Sequence, residues 1–251
     1  METYKLTRKN LADLLLSLKY RSNHTPHIVL EEVWATTHLT EENNEQTFPS
    51  VLSTNIPPII KKIIKTTKAE IGFSLNEIVS LGNLVEFTSF SQSTVQNWVK
   101  RDVKGLIGSP QLGKKYTIEQ TAMLFIVEDL KATLDFESIR KILTLVFNDI
   151  DDSTDDIVNP TDLYAAYSSV FDKIHHLSFP RLKDFPLGPV NEMILHFIKE
   201  ECQNLLASFE GVLEEDLIIV LNVLILSVSS VQATYYQSAT KKYVESAVLE
   251  K

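Results

Sequence analysis

Helix-start signals recur through the middle of this chain at a spacing that leaves little room for other structure. Ser74 with Glu77, Ser93 with Gln96 and Thr117 with Gln120 each set a hydroxyl three residues before a side chain that reaches back, so that each satisfies an exposed amide. Asp135 is a fourth cap, ahead of Phe136, Ile139, Ile142, Leu143, Val146 and Phe147, which form one apolar stripe at helical spacing. Further helices are predicted over 11–18, 74–86, 122–130, 161–176 and 190–209, and from 212 into the C-terminal tail. Glycine, at 7 in 251 residues, is too scarce for the tight turns of a large all-β sandwich or a dinucleotide-binding fold. The expected fold class is mainly α.

Three stretches break the pattern. Residues 38–58 are polar and hold Pro49, Pro57 and Pro58; residues 149–160 carry five aspartates; residues 179–189 hold Pro180, Pro186, Gly188 and Pro189. They divide the chain into an N-terminal helix and polar loop (1–58), a central domain (59–150) and a C-terminal helical domain (151–251), with no internal repeat.

Charge is segregated along the same divisions. The whole chain carries a formal charge of -9. Between 50 and 115, nine basic residues face four acids, a balance of +5, whereas 149–251 holds 17 acids against 7 bases, a balance of -10. A basic segment in an acidic chain points to a localised polyanion-facing surface, with the acidic part limiting promiscuous contacts.

Within the basic segment, Thr94-Val95-Gln96-Asn97-Trp98-Val99-Lys100-Arg101 reads as a short helix after a turn at 87–90. Val95, Trp98 and Val99 turn inward, leaving Gln96, Asn97, Lys100 and Arg101 outward. Amides pair with adenine edges and arginine with guanine, while lysines and hydroxyls hold phosphates. Free amides near 91–94 would add a phosphate seat. After Lys104, the run from Gly105 to Thr117, with Gly108, Pro110 and Gly113, makes a small hairpin-like wing that carries Lys114 and Lys115 near its tip.

This succession resembles the DNA-binding domain of the mercury-resistance regulator (MerR) family. The resemblance rests on Thr94-Val95, on Gly105-Leu106-Ile107 followed by Pro110, on Gly113 and Tyr116-Thr117, and on the helices at 122–130 and 134–143. Gln96-Asn97-Trp98-Val99-Lys100-Arg101 with Lys114-Lys115-Tyr116 is more closely similar to a bacterial family of uncharacterised proteins thought to carry a MerR-like winged helix. The resemblance implies a central winged helix-turn-helix, a C-terminal helical bundle, and double-stranded DNA as partner. The residues expected at the DNA are Ser93, Thr94, Gln96, Asn97, Lys100, Arg101, Lys104, Lys114, Lys115 and Tyr116. Gln96 and Asn97 stand where that family usually has Arg and an aromatic residue, so its base preference is not carried over.

The resulting expectation is a dimeric transcriptional regulator. Its apolar C-terminal helices self-associate and set two recognition helices at half-site spacing, while Lys61 to Lys68 or the wing clamps the backbone. The alternative is a helical interaction module whose winged helix meets a protein, since fold does not fix function. Tyr164, Tyr167, Tyr235, Tyr236 and Tyr243 in the C-terminal half read as helix packing, or else as the walls of a pocket for a small-molecule effector.

Other chemistry finds little footing. Lone Cys202 excludes a disulfide framework and reads as a buried small hydrophobe, with a redox sensor as the alternative. His24 and His27 sit in a turn with no ligand partner nearby in sequence, and adjacent His175 and His176 point apart. Asp151, Ser153, Asp155 and Asp162 have calcium-loop spacing, but Asp156 replaces the required glycine and Pro160 interrupts the loop. No nucleophile elbow, Walker loop or zinc-protease helix is present, so neither an enzyme nor a metal nor a cofactor is expected. The start has no signal-like apolar core, and the apolar run 217–231 reads as too short for a bilayer, which needs ~20 residues. A cytoplasmic location follows.

Overall fold

The computed structural model describes residues 4–38, 56–66, 71–148, 155–176 and 189–248. Among them the regular elements are helices, and β pairing is confined to isolated bridges. In chain order the α-helices are α1 (Arg8–Leu18), α2 (Pro26–His38), α3 (Pro58–Lys65), α4 (Leu75–Gly82), α5 (Gln92–Asn97), α6 (Lys104–Ile107), α7 (Ile118–Leu130), α8 (Phe136–Thr144), α9 (Pro160–His175), α10 (Val190–Leu205) and α11 (Leu217–Val248). A π-helical turn, Trp98–Asp102, follows α5, and a 3-10 turn, Leu206–Ser208, follows α10.

The capping logic holds at three of four sites. Ser74 and Glu77 form the reciprocal box at the start of α4. Thr117 and Gln120 do the same for α7, each bonding the other's backbone amide at 3.0–3.1 Å. Asp135 accepts from the Ser138 amide at 2.7 Å. The exception is Ser93: Ser91 caps α5 instead, accepting from the Thr94 amide, so the helix begins earlier.

Two helices appear that the sequence reading does not predict, and residues 39–55 of the expected loop lie outside the described residues. α2 takes in His27, placed in a turn by the sequence reading; His24 and His27 each lie near a glutamate, Glu32 at 3.5 Å and Glu31 at 3.8 Å. α3 starts immediately after Pro57, with Pro58 in its first turn, where a proline's missing N–H costs nothing. The calcium-spaced residues Asp151 and Ser153, the first half of the aspartate-rich stretch (149–154) and residues 177–188 lie outside the described residues.

The chain forms two compact units, residues 1–104 with 109–122, and 105–108 with 123–251. In the first, α1 packs on α2, and α2, α3 and α4 follow in contact, around a core of Leu6, Leu11, Leu15, Ile60, Ile63, Phe73, Ile78 and Val95. The residues before α1 belong to it: Leu6 and Val85 form a parallel bridge, and buried Arg8 donates to the Glu86 carbonyl at 2.9 Å. Lys19, at the end of α1, pairs with Glu119 at 2.6 Å.

In the second unit α9, α10 and α11 pack against one another. Tyr164 and Tyr167 are fully buried, with ring centroids 5.2 Å apart. The Tyr167 hydroxyl donates to the buried Asp129 carboxylate at 2.8 Å, deeper than the boundary position expected of it. His175 lies between the rings of Phe171 and Tyr235, at 4.4 and 4.5 Å.

α11 corrects one sequence argument. The apolar run 217–231, read as too short for a bilayer, lies within a helix that continues to Val248, and this helix is long and apolar enough to cross a membrane. Length therefore does not exclude a span. The helix also packs on α9 and α10 and buries Ser227, Ser230 and Gln232.

Candidate nucleic-acid interface

All ten residues singled out for DNA contact fall in the first compact unit. Their positions are set by the turn between α4 and α5. Asn83 clamps it, its amide nitrogen donating to the Phe90 carbonyl and its oxygen accepting from the Phe90 amide, both at 3.0 Å. Thr88 donates to the Gly82 carbonyl at 2.5 Å, with the Val85 carbonyl farther off at 3.1 Å, and Phe87 takes a left-handed φ of 57°. Gly82 leaves room for the Phe90 ring, which would stand 2.5 Å from a Cβ there.

Beyond the turn, Val95, Trp98 and Val99 are buried, with the Trp98 ring edge-on to Phe90 at 6.1 Å. Asn97, Lys100 and Arg101 are exposed, and Thr94 and Gln96 are half-buried. The segment is not a single α-helix. From Trp98 the chain widens into a π turn closed by the Val103 amide on the Trp98 carbonyl at 2.9 Å. An extra residue per turn keeps Trp98, Val99 and Val103 in the core while Lys100 and Arg101 bulge outward. Arg101 Nε donates to Asp102 at 3.0 Å.

The Thr94 amide, one of those expected to seat a phosphate, is taken by Ser91, whose hydroxyl also lies 2.6 Å from the Thr94 hydroxyl. Ser93 remains exposed.

Of the run Gly105 to Thr117 expected as the wing, the first residues are helical, in α6, and only residues 112–115 form a hairpin, a tight two-residue turn. Leu112 and Lys115 exchange both backbone hydrogen bonds, at 3.0 and 3.1 Å. Gly113 holds φ at +66°, as the first position of a primed hairpin turn requires. Lys114 and Lys115 are exposed at the tip and the start of the return. Gln120 anchors the approach, donating to the Ser109 carbonyl at 2.8 Å. Tyr116 differs from its expected role. It is 5% exposed, its backbone pairs with Phe73 at 2.8 and 2.9 Å, and burial raises its hydroxyl pKa. Its ring supports the turn from within, and a surface contact by that ring is not available.

Among the described residues, Lys100, Lys104, Lys114 and Lys115 make no ion pair. Exposed, unpaired ammonium groups at the π turn, at the start of α6 and on the hairpin are each chemically suited to phosphodiesters.

The chain is 37% identical over 243 residues to the uncharacterised protein YkrK of Bacillus subtilis (strain 168), a match covering 96% of this chain and 97% of that one. A family model described as a domain of unknown function, DUF1836, matches residues 61–167. The chain belongs to the DUF1836 family. The span shared with DUF1836 begins inside α3, takes in the clamped turn, the π turn and the lysine-tipped hairpin, and ends inside α9. No solved structure matches this DUF1836 protein.

Elsewhere, candidate chemistry recedes. Cys202 is completely buried, and burial, with nearby Glu201, pushes its thiol up to about 12. So high a value keeps the thiolate scarce and argues against the redox-sensor alternative. Among the described residues no three His, Cys, Asp or Glu side chains gather as a metal site would require.

Proposed function

We propose that this chain is a DNA-binding transcriptional regulator of the MerR-like winged-helix type, acting in the cytoplasm as a dimer joined through its C-terminal helices. The observation that carries this reading is the exposed, unpaired set of Lys100, Lys104, Lys114 and Lys115, with Arg101 and Asn97, in one compact unit of a chain whose net charge is -9. In it, α4, the Asn83-clamped turn and α5 with its π turn play the helix-turn-helix, and the Gly113 hairpin plays the wing. Asn97 and Arg101 read base edges, Gln96 assists from its half-buried position, and the lysines bind the phosphate backbone.

The second unit supplies self-association. α11 exposes Ile218, Leu226, Tyr236, Tyr243 and Val244, an apolar set suited to a second copy, while its opposite side packs on α9 and α10. Two recognition elements on one dimer would meet two half-sites about one helical turn, or a multiple of it, apart.

Genomic fragments recovered with the purified protein test this directly. The reading expects a recurrent two-half-site sequence, and expects Lys100→Ala with Arg101→Ala to abolish its enrichment. Recovery of fragments no different from input DNA would overturn the assignment.

A further inference from the structure

α3 lies outside the helix-turn-helix, yet its lysines divide into two kinds. Ile59, Ile60 and Ile63 are buried and fix the inner face of the helix. Lys62, at the boundary, is fully committed: its Nζ donates to Glu77 at 2.6 Å and to the Gly72 carbonyl at 3.4 Å, and it lies 5.2 Å from the centre of the Phe73 ring. Glu77 is also the partner of Ser74 in the capping box of α4. Lys62 therefore pins α3 to the segment leading into the helix-turn-helix.

That segment lies directly against the hairpin. A Cβ on Gly72 would stand 2.8 Å from the Tyr116 carbonyl oxygen and 3.1 Å from Lys115 Cβ, and Phe73 pairs with Tyr116. Gly72 thus has Lys62 of α3 on its carbonyl and Lys115 of the hairpin beside its Cα. At 100° per residue, Lys61 and Lys65 project from the side of α3 opposite the three buried isoleucines. Lys65 is exposed and Lys61 half-exposed, and neither makes an ion pair with a described residue. Four residues apart on one helix face, they are separated by about 6 Å along the axis, comparable with the separation of phosphates along a DNA strand.

We propose that Lys61 and Lys65 form a second phosphodiester-binding element, which extends the lysine track of the hairpin onto the DNA backbone beyond it. Lys62 has a positioning role: it holds α3 beside the hairpin and contacts no phosphate. The element carries no base-reading group, so it adds affinity and footprint length without sequence preference. This inference rests on the DNA-binding reading above and narrows the Lys61-to-Lys68 clamp expected from the sequence to two residues, a contact which that reading can lose and still stand; Lys68 lies outside the described residues.

The test uses the full-length protein and a random-sequence duplex, with affinity followed against salt concentration and the protected backbone mapped by hydroxyl-radical cleavage. Lys61→Gln with Lys65→Gln, two surface changes that leave the isoleucine face intact, should weaken binding on the order of tenfold at low salt and reduce the log–log salt slope by roughly 2. Protection should also shorten at the edge beyond the hairpin contact, with the order of preferred sequences unchanged. An unaltered slope and footprint, with the parent still binding steeply, would overturn the α3 assignment and leave the DNA reading standing; this is also the result expected if the two lysines instead meet an acidic protein. A parent without salt-dependent duplex binding would overturn both.

Discussion

Glu77 is the residue on which the most local structure converges. Burial alone would raise its pKa, but hydrogen bonds from Lys62 and from the Ser74 amide and hydroxyl, together with the Lys62 charge, outweigh burial and hold the carboxyl below its usual value. A carboxyl whose folded pKa is depressed stabilises the fold above its unfolded pKa and loses that contribution as pH falls through the folded value. Glu77→Gln should therefore flatten the acid side of the stability–pH profile below about pH 4.3, the unfolded carboxyl value. Urea unfolding at a series of pH values reads this, and a parallel profile for the variant would contradict it. Gly72 carries a steric prediction. A methyl group 2.8 Å from the Tyr116 carbonyl and 2.9 Å from the Leu112 side chain must push the hairpin away. Gly72→Ala should cost about 1–3 kcal/mol in denaturant unfolding, the usual range for overpacking.

Among the elements, the ones legible in the sequence were those announced by a local signal. Ser74, Thr117 and Asp135 start their helices because a cap needs only its own side chain and an amide three residues on. Ser93 does not cap because the competing hydroxyl at Ser91 satisfies the Thr94 amide and starts the helix two positions earlier. Pro57 and Pro58 close a polar loop in the sequence but also start α3, since proline in a first turn begins helices as readily as it ends loops. The π turn left no composition signal, since its widening comes from keeping Trp98, Val99 and Val103 in the core at once. Tyr116 looked like a surface aromatic beside two lysines, and only its pairing with Phe73 shows that it is core. α11 reaches the C-terminal tail as the sequence predicts, but its apolar length is longer than the run 217–231 suggests, because Gln232 and the tyrosines beyond it interrupt that run without interrupting the helix. Its last turns bear the prediction at this scale. Tyr236 and Tyr243 are 52% and 75% exposed, rings that the proposed dimer would cover. Tyr236→Glu with Tyr243→Glu should shift the mass measured by light scattering from dimer to monomer; a parent already monomeric would contradict the dimer.

For the whole molecule, the physics is that of opposite charges kept on different stretches of one chain. The cations lie on the compact unit that holds α3, α5 and the hairpin, while the stretch from 149 onward carries the acidic excess. On the proposed reading, a protein of this net charge meets DNA through its basic residues, which suppresses indiscriminate binding and makes affinity strongly dependent on counterion release. The most direct measurement is therefore the equilibrium affinity of the full-length protein for duplex DNA against salt concentration. With Lys100, Arg101, Lys104, Lys114 and Lys115 all at phosphates or groove edges, the plot of log affinity against log salt should fall with a slope of about -4 or steeper, and Lys100→Ala with Arg101→Ala should flatten it. Binding that is absent at low salt, or a slope near zero, would contradict the account.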